Sequence, residues 1–195
     1  MMSAISAESL LTLEAYSRQR SEIRNRVMAH KKNRVVALGR HLTLIFEDEM
    51  TIRYQIQEML RIEKTFDEQG IRDELDAYNP LIPDGTNLKA TMMLEYEDPE
   101  ERARELTRLI GIERRVYIRV GDLAPCFAIA DEDLERENEQ KTSSVHFLRF
   151  EMTPQAIAQF RGGRPVAIGV DHPLYRARID AISSAVQESL SRDFA

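Results

Sequence analysis

Apolar residues recur along this chain at two spacings, and each spacing predicts a different element. The clearest pattern predicts a helix at residues 54–64 that extends to about Phe66, because apolar positions there lie three or four residues apart. Those positions are Ile52, Ile56, Met59, Ile62 and Phe66. We expect Ile56 and Met59 to lie in the core and Thr51 to cap the helix.

Similar spacing, together with capping residues, predicts further helices in the chain. One or two helices are predicted within residues 6–30. Single helices are predicted at 67–78, from Asp98-Pro99 to Gly111, at 153–160 and at 174–190. The first 33 residues therefore form a helical N-terminal segment. Asp171-His172-Pro173 is expected to break the strand that precedes the last helix.

Alternating or continuous apolar runs predict the strands. They are 35–38 and 41–46, joined by a two-residue Gly39-Arg40 turn, then 88–96, 116–120, 124–130, 145–152 and 165–170. Short strands mixed with helices indicate the α+β class, with amphipathic helices packed on a largely antiparallel or mixed sheet. A length of 195 residues suits a single domain.

Composition narrows the compartment and the chemistry. No apolar run reaches the roughly 18 residues that cross a bilayer, and the N-terminus lacks the pattern of a secretory signal, so we expect a cytoplasmic protein without membrane contact. Cys126 is the sole cysteine, which excludes internal disulfides, cysteine-rich zinc sites and four-thiolate iron–sulfur clusters. We predict an ordinary buried thiol at Cys126, and neither a cofactor nor a metal.

Charge is distributed unevenly around a formal net charge of −6. Residues 18–40 hold eight cations against one acid, and they include the candidate docking patch Arg24, Arg26, Lys31, Lys32 and Arg34. The alternative is structural: cations complement a helix dipole and cover apolar surface. Nucleic acid is not expected as the ligand, because the chain is acidic overall and this region has few aromatic residues. The acidic stretch 131–142 is predicted to be a mobile loop.

Several familiar catalytic motifs are absent from the sequence. It contains no phosphate-binding Gly-x-x-x-x-Gly-Lys loop, no Gly-x-Gly-x-x-Gly, no His-Glu-x-x-His and no Gly-x-Ser-x-Gly. None of the four histidines follows a glutamate by three positions, so the Glu-x-x-His pair of four-helix di-iron proteins is also missing. The chain therefore shows no recognisable catalytic motif, and whether it is an enzyme stays open.

One candidate site lies on the predicted helix at 54–64. Tyr54, Gln57, Glu58 and Arg61 are three or four positions apart and share a surface, which could line a polar pocket or dock a partner. A buried Glu58 would need Arg61 or another donor beside it. The alternative is a solvent-facing side with an incidental ion pair.

A second candidate site follows the apolar strand at 165–170. Asp171, His172 and Tyr175 lie where that strand ends, and the first two could act as base, acid or metal ligand. The alternative is that Asp171 caps the next helix and His172 bonds a backbone carbonyl.

The same segments carry a resemblance to a known family. The segments 34–39, 54–60, 74–79 and 169–173 read RVVALG, YQIQEML, ELDAYN and GVDHP. They resemble a bacterial family of unknown function, number 3501 in the series of domains of unknown function, almost from end to end. The resemblance supplies no catalytic residues. It implies a link to peroxide defence or electron transfer, because members are often encoded beside a rubrerythrin and an iron–sulfur oxidoreductase.

Two main hypotheses follow. The first is a cytoplasmic accessory or interaction subunit of a redox or oxidative-stress system, with rubrerythrin or the iron–sulfur oxidoreductase as protein partner. The second is a small-molecule-binding protein or enzyme whose pocket combines Glu58 and Arg61 with Asp171 and His172. Nucleic-acid binding ranks third, and self-association into a homo-oligomer is left open.

Overall fold

The computed structural model describes residues 4–130, 132 and 141–195, which contain six α-helices and nine strands. The helices are α1 (Leu13–Lys31), α2 (Glu49–Glu63), α3 (Glu68–Tyr78), α4 (Pro99–Arg108), α5 (Pro154–Arg161) and α6 (Ser184–Ser191). The strands are β1 (Val35–Leu38), β2 (Leu42–Phe46), β3 (Asn87–Leu94), β4 (Val116–Val120), β5 (Cys126–Phe127), β6 (Ile129–Ala130), β7 (Val145–Glu151), β8 (Val166–His172) and β9 (Tyr175–Ile179). Short 3₁₀ turns lie at Ala7–Ser9, Asn79–Leu81 and Ile112–Arg115. The α+β prediction is confirmed.

The strands form two antiparallel sheets rather than one. The five-stranded sheet has the order β1-β2-β3-β7-β6, and the four-stranded sheet has the order β5-β4-β8-β9. The strand predicted at 124–130 splits at Ala128, so that β5 pairs with β4 and β6 pairs with β7. This short split strand therefore links the two sheets.

One large hydrophobic core lies on the inner faces of both sheets. The alternation predicted for β3 is confirmed, because Leu88, Ala90, Met92 and Leu94 are all buried. Side chains from β4, β8, α4, α5 and α6 join the same cluster. Strand alternation places one row of side chains in this core and the next row on the opposite face of each sheet.

A second, separate hydrophobic cluster belongs to the helical N-terminal part. Its buried members are Ile5, Ile52, Ile56, Leu60, Leu75 and Ile82, and they come from α2, α3 and the segments beside them. The prediction for Ile56 is confirmed, whereas Met59 is only partly buried. The helix also ends earlier than predicted, so that Phe66 lies outside it and is 73% exposed.

The start of α2 is fixed by Asp48 rather than by Thr51. The Thr51 amide donates to the Asp48 side chain at 3.0 Å, and the Asp48 amide donates to the Thr51 hydroxyl at 3.0 Å. This reciprocal capping box satisfies two backbone donors at the helix start. The turn between β1 and β2 likewise has three residues instead of two, with Gly39 at a φ of +73°.

The largest correction concerns residues 171–179. Asp171-His172-Pro173 does not precede a helix: β8 continues through His172, and a tight turn leads into β9, where His172 pairs with Tyr175. The last helix begins only at Ser184. Ile182, Val186 and Leu190 are buried, but Leu174, the first residue of the predicted helix, is 55% exposed. Nine of the twelve residues in the acidic stretch predicted to be a mobile loop, 131 and 133–140, lie outside the described residues. At its end Thr142 is buried, and its amide donates to the Leu106 carbonyl at 3.0 Å.

Arg34 joins the N-terminal helices to the C-terminal end of the chain. Its side chain is 1% exposed, and its guanidinium donates to the carbonyls of Phe46 and Glu47 at 2.9 and 3.0 Å. It also donates to the Asp193 carboxylate at 2.5 Å and to the Ser189 carbonyl at 3.3 Å. Burial raises the pKa of Asp193 to about 6, against the opposing effect of Arg34. One side chain thus holds three distant segments together.

Replacing Arg34 with methionine should destabilise the fold strongly. Arg34→Met keeps the aliphatic stem but leaves the Asp193 carboxylate and two carbonyls buried without their donor, so we expect a loss of about 3–5 kcal/mol in the free energy of unfolding. Urea denaturation measures this loss. The control is Lys32→Met at an exposed neighbouring position, which should change stability by less than about 0.5 kcal/mol. Equal effects of the two variants would contradict the assigned role.

Candidate functional site

Gln57 on α2 binds the backbone of the N-terminal segment. Its side-chain oxygen accepts from the Leu11 amide at 2.9 Å, and its side-chain nitrogen donates to the Leu11 carbonyl at 3.2 Å. Asn79 makes the same pair of bonds with Ile5, at 2.8 and 3.0 Å. Two amide side chains therefore hold the segment before α1 much as a neighbouring strand would hold it.

Glu58 on α2 accepts hydrogen bonds from two side chains of α1 and from one side chain of its own helix. Arg20 donates twice at 2.8 Å, the Tyr16 hydroxyl donates at 2.6 Å, and Arg61 donates at 3.2 and 3.3 Å. The Glu58 side chain is 12% exposed. Hydrogen bonds from Arg20, Tyr16 and Arg61 outweigh burial and lower the pKa of Glu58 to about 2, while burial raises the pKa of Tyr16. Glu58 is thus a well-compensated carboxylate.

The polar side of α2 is therefore an internal contact with α1. Tyr54 completes this side and lies beside a small cavity of about 120 Å³ that Tyr16 and Gln57 also line. The solvent-facing alternative does not hold, because Gln57 is buried and Glu58 nearly so. The sequence reading missed Tyr16 and Arg20 as partners. The available signal was that Tyr16 and Arg20 are four positions apart on one helix, so that both can face an acid on a neighbouring helix.

The residues of the second candidate site contact different neighbours. The His172 Nε2–H donates to the Ile110 carbonyl at 3.2 Å, and the Leu174 amide donates to His172 Nδ1 at 3.2 Å. The Tyr175 hydroxyl donates to the Leu38 carbonyl at 2.7 Å. Both side chains therefore fix backbone, as the structural alternative for His172 proposed. Asp171 is exposed and pairs with Arg176 at 2.8 Å, so it does not cap a helix.

The two candidate sites lie apart in the fold. Glu58 and Arg61 face α1, whereas Asp171 and His172 belong to the four-stranded sheet. Among the residues described, no hydrogen bond or ion pair connects the two groups, and the cavity beside Gln57 shares no residue with the one beside Asp171. The geometry gives no support to a common pocket.

The basic docking patch loses one member. Arg34 is buried and engaged, so it is not part of any docking surface. Arg24, Arg26 and Lys32 are exposed and Lys31 is half-buried. Arg24 and Lys31 are seven positions apart and lie on one side of α1, while Arg26 lies about 200° around the helix from Arg24.

Metal-binding and thiol chemistry have little support in this structure. Within residues 4–130, 132 and 141–195, no group of three or more His, Cys, Asp and Glu side chains could hold a metal ion. Cys126 is half-buried, and its thiol donates to the Glu151 carbonyl at 3.1 Å. Burial raises the pKa of Cys126, which keeps the thiol protonated and poorly nucleophilic. In the described part of the chain, no helix has the length and apolar character needed to cross a membrane.

Glu58 should make the protein sensitive to acid. Because its pKa falls from 4.5 to about 2 on folding, its stabilising effect is complete above pH 4.5 and is lost as the pH falls towards 2. Glu58→Gln should remove this loss, which we expect to amount to about 2–3 kcal/mol in the wild type. Urea denaturation between pH 5 and pH 2 measures it. Glu68→Gln, in an exposed pair with Arg72, is the control and should keep the wild-type pH profile.

Comparisons with known proteins identify the family. A family model described as "Protein of unknown function (DUF3501)" matches residues 4–194. The crystal structure of a "novel protein of unknown function" from Burkholderia pseudomallei K96243 is 55% identical, with a TM-score of 0.95, over 99% of this chain and 100% of that chain. None of the curated proteins matches the sequence. The chain therefore belongs to the DUF3501 family, as the resemblance predicted.

Proposed function

We propose that this protein is an accessory subunit that docks an acidic partner protein through cations of α1. One observation carries the proposal. Among the described residues, Arg24, Arg26, Lys31 and Lys32 have no ion-pair partner, although the chain has a net charge of −6. Arg24, Lys31 and Lys32 form what we call the α1 cation surface, and Arg26 lies on the other flank of the helix.

Most cations on the other helices behave differently, with Arg102 and Arg161 as exceptions among the described residues. Arg53, Arg72 and Arg192 each form an ion pair with a glutamate four positions earlier on the same helix. Such pairs satisfy both charges locally and leave little electrostatic attraction for a partner. The second half of α1 presents its positive charges without that compensation, so an acidic surface would find complementary charge there.

The packing of α1 favours a docking role. Val27 is buried, Tyr16 and Arg20 hold Glu58, and Gln57 holds the segment before the helix. A helix fixed in this way loses little conformational entropy when a partner binds its outer side. The polar residues of α2 therefore support docking indirectly, by positioning α1.

The resemblance suggests the partner. A rubrerythrin or an iron–sulfur oxidoreductase would supply the redox chemistry, and this chain would supply a positively charged surface in a cytoplasmic complex. Contacts between exposed charges mainly accelerate association and weaken as salt screens them. The alternative of an enzyme or small-molecule pocket built from Glu58, Arg61, Asp171 and His172 has no comparable support, because those side chains are engaged in separate places.

Charge reversal on the α1 cation surface tests the proposal. Arg24→Glu/Lys31→Glu/Lys32→Glu should weaken binding to the purified rubrerythrin or iron–sulfur oxidoreductase by about tenfold or more, because attraction becomes repulsion. Isothermal titration calorimetry at 50 and 300 mM NaCl measures the affinity. Wild-type affinity should fall at the higher salt concentration, and the variant should be nearly insensitive to salt.

The matched control reverses cations that are already paired. Arg72→Glu/Arg104→Glu/Arg108→Glu reverses three exposed cations outside α1 and changes the net charge by the same amount, and it should bind like the wild type. If neither partner binds the wild type, or if both variants bind equally well, the proposed docking role is wrong.

A further inference from the structure

The outer face of the four-stranded sheet carries a concave group of aromatic and basic side chains. Val116, Ile118 and Val120 of β4 point into the core, so Tyr117 and Arg119 lie on the other face. A cavity of about 470 Å³ opens there. We call this group the arginine face, and it consists of Tyr117, Arg119, Phe127, Arg176 and Arg178.

The aromatic part of this face is shaped by a glycine. The Tyr117 and Phe127 rings are cross-strand neighbours with centroids 5.7 Å apart and an interplanar angle of 57°. Tyr117 lies over Gly169 of β8, where a Cβ atom would come within 2.5 Å of the tyrosine oxygen. The absence of a side chain at Gly169 thus allows the ring to lie against the sheet, while Phe127 remains 44% exposed.

The charged part of the face has an incompletely satisfied arginine. Arg176 pairs with Asp171 and Arg178 with Asp180, each at 2.8 Å and in exposed positions. Arg119 differs, because its Nε atom is buried and has no hydrogen-bond partner among the residues that the structure describes. Three arginines face two aspartates here, so Arg119 is the guanidinium of this face that has no carboxylate partner among the described residues.

These features point to one class of ligand. We propose that the arginine face binds a small anion that carries a planar aromatic group, such as a nucleoside phosphate. The phosphate oxygens accept hydrogen bonds from the planar Arg119 guanidinium, and the base stacks on the rings of Tyr117 and Phe127. A volume of about 470 Å³ lies in the range of small-molecule sites. This site is separate from α1, so it stands or falls independently of the docking role.

A mononucleotide fits better than a nucleic-acid strand. Binding of single strands requires successive stacking positions and a basic groove that follows the backbone. The arginine face offers one pair of rings, and both Arg176 and Arg178 are already neutralised by aspartates. The charge left over suits a single phosphate group rather than a chain of them.

Direct titration tests the site. Wild-type protein is titrated by calorimetry with AMP, ADP, GDP and UDP, and also with inorganic pyrophosphate and a single-stranded decanucleotide. We expect at least one nucleoside phosphate to bind with a dissociation constant below about 1 mM, and pyrophosphate to bind at least tenfold more weakly than the matching nucleoside diphosphate.

Three variants assign the binding to the arginine face. Arg119→Gln should weaken it about tenfold or more, Arg119→Lys should restore part of the loss, and Tyr117→Leu should weaken nucleotides but leave pyrophosphate unchanged. Arg72→Gln, which removes an exposed cation on α3, is the control and should leave the affinity unchanged. Circular dichroism of each variant confirms that it is folded.

Several outcomes would overturn the proposal. One is that no nucleoside phosphate binds below 1 mM, and another is that Arg119→Gln and Arg72→Gln behave alike. Equal affinity for pyrophosphate and for nucleoside diphosphates would refute the aromatic contribution. A decanucleotide that binds more than a hundredfold tighter than every mononucleotide would show that the face is a nucleic-acid site instead.

Discussion

The buried guanidinium of Arg34 is the interaction on which the arrangement of this fold depends. Arg34 follows α1 in the sequence, and its side chain is 1% exposed. It binds carbonyls at the end of β2 together with the Asp193 carboxylate near the C-terminus. Placing a charge in the interior is costly unless every donor is matched, and here the matching acceptors come from segments far apart in sequence. The position of α1 relative to the sheets therefore follows from electrostatic satisfaction as well as from apolar packing.

The same reasoning explains the unusual composition of α2. A helix rich in amides and acids on one side invites a functional reading, yet Gln57 and Glu58 are consumed in holding α1 and the segment before it. The polar residues at helical spacing on α2 thus stabilise an internal contact with α1 and the segment before it. They leave the outer side of α1 exposed and hold this helix in a fixed position, as the proposed docking role requires.

Sequence patterns predicted most elements because apolar periodicity directly reflects which side of an element is buried. The class, the alternation of β3 and the helix start at Asp98 follow from local signals alone. The first half of the helix predicted at 174–190 is a strand, because the spacing of Leu174, Ile182, Val186 and Leu190 resembles that of a helix while Tyr175–Ile179 alternates as a strand does. The burial of Arg34 has no local signal, and the pairing of Glu58 with Arg20 is signalled only by the spacing of Tyr16 and Arg20, since both features depend on contacts between distant segments.

Two separate hydrophobic clusters divide the cooperative structure of this protein. The cluster around Ile56 and Leu75 buries its apolar surface among the N-terminal helices, while the two sheets bury theirs in the larger core. Units with separate cores can open with different free energies, so the helices can unfold locally while the sheets keep their amide protection. A partner on α1 would therefore shift the opening of the helical unit, and a ligand on the arginine face that of the sheets. Polar contacts that could couple the two units include Arg34 with its acceptors and Glu47, which accepts from Thr51 of α2 and from Thr91 of β3.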